Sequence, residues 1–309
     1  MASSTAQQNF ANTINTAACL IIGDEVLGGK AHQRCESCGS DHIISDAEGA
    51  KLSIIYKSNS NYVAKFCFSL GIQLKRIEVI EDDEDQIGEA VRRMSDRYDF
   101  VVTRHDDITY QSIAKAFGLK LKLYEEAYER MKKLSKSHPS QPAFSWDEDS
   151  PIKTAKLRMV ELPTDETIPL EKQFLFPRED MWVPVAVANG NVHILPGIPH
   201  LFEGLLDGLK PYILPRLVDP EGKGIYRVLI STPMAESEIA TYLTELAKEV
   251  EPQGVKVGSY PRWEKETNTV TLVGRDRAFL DSIKEEVAQN VKGRVVLAEG
   301  EDDDLPGDA

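Results

Sequence analysis

The sequence lacks the features that would place the protein in a membrane or in an oxidising compartment. No apolar run approaches the roughly 18 residues of a membrane-spanning helix. The 309 residues contain only four cysteines, and no Lys or Arg precedes Lys30, so the N-terminus predicts neither a signal peptide nor an Arg-rich transit peptide. We therefore expect a cytoplasmic protein with reduced thiols and no membrane partner.

Basic charge is also scarce. Against 50 acidic residues there are 36 Lys and Arg, a net charge of −14. A nucleic-acid interface needs a basic footprint, so we expect no nucleic-acid partner, whereas an anionic small molecule could still be held by local donors. Six of the acidic residues lie in the segment 299–309, which predicts a solvated, disordered tail. We expect the polar segment 1–15 to be disordered as well.

Strand and helix patterns alternate along the first two thirds of the chain. Apolar runs at 16–23, 74–80 and 100–103 predict buried strands, and helical spacing follows each of them. This alternation predicts right-handed crossovers and a mostly parallel sheet. Later, Asn189-Gly190 between two apolar runs is a strong hairpin signal.

A second pattern begins after a Gly- and acid-rich linker at 219–224. Residues 224–298 show the order β-α-β-β-α-β, which predicts a smaller ferredoxin-like α+β domain. The chain is thus predicted to hold an α/β domain at 16–218 and this smaller domain. No cluster of chemically reactive residues occurs in the smaller domain, so its expected role is packing or dimerisation.

Polar residues stand where two predicted parallel strands end. Gly23, Asp24 and Glu25 follow the first strand, and Asp106 and Asp107 follow the strand at 100–103. Open α/β sheets bind ligands at the carboxyl ends of their strands, and adjacent carboxylates suit a hard divalent cation. The alternative is a plain strand-to-helix turn in which Asp107 only caps the helix.

A third candidate element is Pro196-Gly197-Ile198-Pro199. Pro199 suits a first helical turn, and Gly197 would let the backbone approach a ligand closely. A tight turn without any binding role explains the same residues equally well. Farther upstream, His32, Cys35, Cys38 and His42 resemble a zinc-ligand set, but their spacing matches no standard pattern, and we expect no zinc.

Several segments together resemble the molybdopterin-binding (MoaB/Mog) family, and most of all its branch with CinA-type proteins and the N-terminal domain of FAD synthases. The segments are IIGDEVLGGK (21–30), SNSNYVAKFCFSLGI (58–72), HDDITYQSIAKAFGL (105–119), EEAYERMKKLSKS (125–137) and ILPGIPHLF (194–202). The resemblance implies a three-layer α/β/α domain with a mostly parallel sheet. The adenylyltransferase domain that follows this region in such synthases is not expected here.

Two departures from the family pattern affect the expected site. A glycine-rich loop that the family usually carries before the His-Asp-Asp is replaced here by the single residue Arg104. Conversely, residues 31–57 form an atypical insertion. Both departures would also follow from an error in the gene model, which transcript sequencing across the two junctions would test.

The resemblance implies metal-dependent hydrolysis of a dinucleotide pyrophosphate such as FAD or ADP-ribose. Asp24, Asp106 and Asp107 would be catalytic and, with Glu25, would bind Mg²⁺ or Mn²⁺. The residues expected to bind the ligand or its phosphates are Gly23, Glu25, Asn59, Ser60, Thr103, His105, Thr109, Pro196, Gly197 and Pro199.

Two other functions remain open at this point. The same residues would serve a pterin-binding module, with or without adenylyl transfer. A non-catalytic relative is the other alternative, because the missing loop removes backbone donors that would contact phosphate. In each case we expect a nucleotide or pterin ligand and a homo-oligomer, as in relatives.

Overall fold

The structure is a computed structural model that describes residues 2–24, 31–34, 41–44, 54–105, 108–135, 145–221, 224–262, 265–298 and 301. The chain divides into two compact units, Met1–Gly222 and Lys223–Ala309. The division falls within the linker expected at 219–224. Among the described residues, none of the helices has both the length and the apolar character needed to cross a membrane.

The first unit alternates strands and helices. Its described elements are, in order, α1 (Ala2–Ala11), β1 (Thr16–Ile22), β2 (Ala31–Arg34), β3 (Asp41–Ile44), α2 (Ile54–Ser69), β4 (Gln73–Ile80), α3 (Glu84–Arg97), β5 (Phe100–His105), α4 (Thr109–Phe117), β6 (Lys120–Leu123), α5 (Glu125–Leu134), α6 (Pro151–Arg158), β7 (Glu161–Thr164), α7 (Leu170–Gln173), β8 (Phe174–Leu175), β9 (Val185–Ala188), β10 (Val192–Pro196), α8 (Pro199–Gly208) and α9 (Lys210–Ile213).

A six-stranded sheet in the order β4-β1-β5-β10-β9-β8 forms the centre of this unit. Strands β4, β1, β5 and β10 are parallel, and β9 is antiparallel to both of its neighbours. The predicted mostly parallel sheet is therefore confirmed. Two smaller antiparallel pairs, β2 with β3 and β6 with β7, lie outside the central sheet.

Both faces of the central sheet are buried, because alternate side chains of each strand point to opposite sides. Cys19 and Val102 belong to the core shared with α2 and α8. Leu20 and Val101 belong to the core shared with α3 and α4. Helix, sheet and helix thus form the three layers that the resemblance implied.

Local signals explain where several of these helices begin and end. Asp83 caps α3 by accepting a hydrogen bond from the backbone N–H of Gln86 at 2.9 Å. Gly118 ends α4 with φ of 66°, a conformation that glycine adopts without strain. Ser150 caps α6, whose first residue is Pro151.

The hairpin between β9 and β10 turns at the predicted dipeptide. Asn189 and Gly190 have φ of 48° and 78°, the positive pair that a type I′ turn requires. A Cβ atom on Gly190 would lie 2.4 Å from the carbonyl oxygen of Ala6 in helix α1. The absence of a side chain therefore also lets α1 pack against the turn.

Helix α1 corrects the expectation that residues 1–15 are disordered. Asn9 donates from Nδ2 to the carbonyl oxygen of Asn189 at 2.8 Å, and Arg216 donates from its guanidinium to the carbonyl oxygen of Asn9 at 2.7 Å. Ile14 is almost fully buried and pairs with Leu217. The segment is too polar for its own pattern to reveal this, because contacts with distant residues hold it in place.

The second unit has the predicted ferredoxin-like arrangement. Its sheet is antiparallel in the order β12-β13-β11-β14. Its core joins strand residues such as Ile230 and Val270 to helix residues such as Leu243 and Leu280. The elements are β11 (Tyr226–Thr232), α10 (Glu236–Val250), β12 (Lys256–Tyr260), β13 (Asn268–Gly274), α11 (Arg277–Asn290) and β14 (Arg294–Val296).

Two predicted segments lie largely outside the described residues. Of the acidic tail at 299–309, only Glu301 is described. Of the insertion at 31–57, the structure describes β2, β3 and the first turn of α2.

Candidate functional site

Three parallel strands bring candidate residues from distant parts of the chain to one edge of the central sheet. In the strand register, Thr103 of β5 lies beside Leu20 of β1 and beside Ile194 of β10. The segments that leave these strands therefore emerge together, at the carboxyl edge where open α/β sheets bind ligands. We call this region the carboxyl edge; it comprises residues 23–24, 104–105 and 196–199.

Gly23 and Asp24 leave β1 toward the neighbouring strand β4. Gly23 has φ of 151°, a value that side-chain-bearing residues rarely adopt, and its N–H donates to Ile80 at 3.1 Å. The backbone N–H of Asp24 donates to Oδ2 of Asp82 at 3.2 Å, and that of Asp82 donates to Oδ1 of Asp24 at 3.0 Å. Two carboxylates therefore meet at this end of the edge.

The sequence pattern did not indicate Asp82 as a site residue. It lies in the acidic run at 81–85, directly after β4, and a charge run of this kind is usually solvated surface. The position of Asp82 at the end of a strand, rather than the acidic composition of the run, indicates that it belongs to the site. A carboxylate that follows a strand parallel to β1 must lie at the same edge as Asp24.

Helix α2 contributes Asn59 and Ser60, both of which are buried. Asn59 donates from Nδ2 to the carbonyl oxygen of Gly197 at 3.1 Å. Two of the predicted binding residues are thus brought into direct contact. The bond fixes the orientation of the Gly197 peptide at the point where β10 passes into α8.

Arg104, treated in the sequence analysis only as a replacement for a loop, lies inside this edge. Its residue exposure is 8 %, and a Cβ atom on Gly197 would lie 2.5 Å from its Nε. The guanidinium therefore packs against the backbone of Gly197, and only glycine leaves room for it. By strand alternation Arg104 shares the sheet face of Val102, which α2 and α8 cover.

The other described candidates lie in or next to the interior. Thr103 and Thr109 are fully buried, and the Thr103 hydroxyl donates to the carbonyl oxygen of Arg104 at 3.3 Å. Pro196 is buried in β10, and Pro199 is the first residue of α8. The N-cap residue of that helix, Ile198, makes no side-chain hydrogen bond to the first turn, whose N–H groups lie where β10 ends at the carboxyl edge.

Part of the predicted site lies outside the described residues. Glu25, Asp106 and Asp107 are not described, and neither is the side chain of His105. The predicted divalent-cation set therefore stays a prediction. In the described part of the chain, no group of three or more His, Cys, Asp or Glu side chains is arranged to hold a metal. The cysteines of the zinc-like motif are likewise not described.

The described thiols are poor candidates for covalent chemistry. Cys19 and Cys67 are free cysteines within the core. Burial raises the pKa of Cys67 to about 12, and burial together with the neighbouring Cys67 raises the pKa of Cys19 well above its usual range. Since the thiolate is the nucleophile, neither residue reacts readily near neutral pH.

Family comparison agrees with the fold. Residues 18–216 match the family model "Probable molybdopterin binding domain", so the chain belongs to this family. Residues 225–299 match the model "FAD synthase, middle domain". The family suspected from sequence motifs is therefore confirmed, and each unit of the chain has its own match.

The matches to individual relatives extend over most of this chain. A "Probable FAD synthase" of Caenorhabditis elegans is 24% identical over 294 residues, covering 91% of this chain and 51% of that protein. A "CinA-like protein" of Anaeromyxobacter dehalogenans (strain 2CP-C) is 23% identical over 266 residues, covering 81% of this chain and 59% of that protein. The chain spans about half the length of the first of these relatives.

Among solved structures, the protein CinA "with unknown function" from Thermoplasma acidophilum is similar. It superposes with a TM-score of 0.44 at 23% identity, covering 65% of this chain and 98% of that one.

Proposed function

We propose that the first unit binds a nucleotide diphosphate at the carboxyl edge and, with a divalent cation, hydrolyses the pyrophosphate bond of a dinucleotide such as FAD or ADP-ribose. The observation that carries the proposal is the convergence of β1, β5 and β10, which places Asp24, Arg104 and Gly197 at one edge of the sheet. The similarity of both units to parts of FAD synthases supports a flavin or adenine dinucleotide as the substrate class.

The donors at this edge fit a hard cation. Asp24 and Asp82 supply carboxylate oxygens, which Mg²⁺ and Mn²⁺ prefer. In the sequence, Glu25 follows Asp24 after β1, and Asp106 and Asp107 follow β5. A bound cation would neutralise the diphosphate and lower the pKa of a water molecule. The carboxylates would hold the cation, as either direct or water-mediated ligands.

The chain's own donors would hold the phosphates. First-turn N–H groups of α8 carry the positive end of the helix dipole, and the N-cap residue Ile198 does not cap them with its side chain. The Gly197 backbone, oriented by Asn59, lies directly before that turn. During hydrolysis, the water oxygen would bond to one phosphorus atom while the bridging P–O bond breaks, and the leaving phosphate would keep the electron pair. One water proton would be released.

A substrate panel tests the proposal directly. Purified protein is presented in parallel with FAD, ADP-ribose and molybdopterin, with Mg²⁺, with Mn²⁺ or with EDTA, and both binding and turnover are measured. We expect cation-dependent release of two mononucleotide products from FAD, or of AMP and ribose phosphate from ADP-ribose. Turnover that persists in EDTA would contradict the metal role, and absence of binding to all three would contradict the proposal as a whole.

A second candidate is a pterin-binding module without hydrolysis. The family description favours it, since that description names molybdopterin as the ligand. The same panel separates the two functions. Tight binding of molybdopterin with no turnover of either dinucleotide would support the second candidate and overturn the first.

A further inference from the structure

We propose that Arg104 is the phosphate-recognition residue of this edge, where its guanidinium binds the diphosphate of the ligand in a bidentate manner. The inference rests on the proposed function, because it names the residue that would make a diphosphate the preferred ligand. Three observations carry it: the charge balance of the edge, the burial of Arg104 and its packing on Gly197.

Charge balance comes first. Asp24 and Asp82 bring two negative charges together at the end of β1 and β4. A diphosphate would add more negative charge to the same edge. Arg104, near the end of the adjacent strand β5, carries a positive charge. It therefore offsets repulsion that would otherwise oppose anion binding.

Burial makes this charge effective. At 8 % exposure, the guanidinium is screened by water far less than a surface arginine is. A hydrogen bond from a charged donor to a phosphate oxygen is about twice as strong as a neutral one. An arginine in this setting therefore distinguishes strongly between a phosphate-bearing ligand and an uncharged one.

Packing on Gly197 orients the guanidinium. A Cβ atom there would lie 2.5 Å from Nε and 3.2 Å from both Cδ and Cζ of Arg104, so the planar group is in contact with the backbone. Asn59 in turn fixes the peptide of Gly197 at 3.1 Å. A planar fork held in one orientation matches the geometry of two phosphate oxygens, which a flexible lysine does not.

The test compares three variants by calorimetric titration with ADP-ribose at two salt concentrations. We expect Arg104→Gln to weaken binding about 10- to 100-fold and to reduce its salt dependence. Arg104→Lys, which keeps the charge but loses the fork, should give an intermediate affinity and retain the salt dependence. Arg277→Gln is the matched control, because it removes one charge from an exposed arginine of the second unit and should leave binding unchanged.

A second substitution probes the packing without removing the charge. Gly197→Ala should displace the guanidinium and weaken ADP-ribose binding by about as much as Arg104→Gln. Thermal unfolding of each variant verifies that it is folded. If Arg104→Gln does not fold, the ADP-ribose affinities of Arg104→Lys and Gly197→Ala test the role of Arg104 instead.

The outcomes separate this inference from the function on which it rests. Unchanged ADP-ribose affinity in Arg104→Gln would overturn the role of Arg104 and leave the proposed function standing. If Arg104→Gln and Arg104→Lys lost equal ADP-ribose affinity and kept the wild-type salt dependence, Arg104 would have a purely structural role. That result would also overturn the inference. Failure of the wild-type protein to bind any of FAD, ADP-ribose and molybdopterin would overturn the proposed function itself.

Discussion

Asn59 of helix α2 donates a hydrogen bond to the carbonyl oxygen of Gly197 across 138 residues of sequence. This bond connects α2 to the turn that leads into α8. Because α2 and α8 cover the same face of the central sheet, the bond joins two elements that border the carboxyl edge.

Replacing Asn59 should affect both stability and binding. Asn59→Ala leaves the buried carbonyl of Gly197 without this donor, so we expect a loss of about 1–3 kcal/mol in the free energy of unfolding. Ligand affinity should fall as well, because the Gly197 peptide loses its fixed orientation. Urea unfolding and ADP-ribose titration measure the two effects. Asn290→Ala, an exposed amide in the second unit, serves as the control and should change neither quantity.

The Asp24 and Asp82 pair should control cation binding rather than stability. An amide oxygen can still accept the backbone hydrogen bond, so Asp24→Asn and Asp82→Asn should unfold within about 0.5 kcal/mol of the wild type. Mn²⁺ affinity should fall at least about 10- to 100-fold. Asp85→Asn removes an exposed carboxylate from the same acidic run and is the matched control. Wild-type Mn²⁺ affinity in both Asp24→Asn and Asp82→Asn would argue against a cation at this edge.

Comparing alanine substitutions at Gly190 and Gly118 separates the effect of α1 packing from the effect of backbone strain. Both glycines have positive φ, but a Cβ on Gly190 would contact α1 at 2.4 Å, whereas nothing lies within 4 Å of one on Gly118. Gly118→Ala should therefore cost only the backbone strain of about 1–2 kcal/mol. Gly190→Ala should cost more and should increase hydrogen exchange in α1. Equal losses of stability, with α1 protected in both variants, would contradict the role of Gly190 in docking α1.

His193 should make the stability of the protein depend on pH. It is buried in β10 with its ring 4.6 Å from that of Phe100, and burial together with the positive charge of Arg216 lowers its pKa to about 3. The unfolded chain binds a proton near pH 6.5, whereas the folded protein does not. Stability is thus fully present above that pH and is lost as pH falls toward 3, by about 1.4 kcal/mol per unit.

Urea unfolding at pH 7 and pH 5 measures this effect of His193. His193→Gln should lessen the fall in stability by about 2 kcal/mol over that interval. His200→Gln, which replaces an exposed histidine at the start of α8, should preserve the wild-type fall. If His193→Gln retained the full pH dependence, another group would have to be its source.

The sequence by itself determined the architecture. Apolar runs such as 16–23 and 100–103 predicted the buried strands, Asn189-Gly190 predicted the hairpin, and the order of patterns after residue 224 predicted the second unit. These signals are local, because strand alternation, helical spacing and turn chemistry depend on neighbouring residues. The family motifs likewise indicated which strand ends to consider for a site.

The tertiary structure alone decided which side chains meet. Helix α1 has little pattern of its own and is held by Asn189 and Arg216, which lie far away in the sequence. The pairing of β1 with β4 brings Asp82 next to Asp24. Arg104 contacts Gly197 because β5 and β10 are neighbours in the sheet. Such contacts join residues separated by tens to hundreds of positions, and no local pattern encodes them. For that reason the edge could be predicted from sequence, whereas the burial of Arg104 and the contact between Asp24 and Asp82 could not.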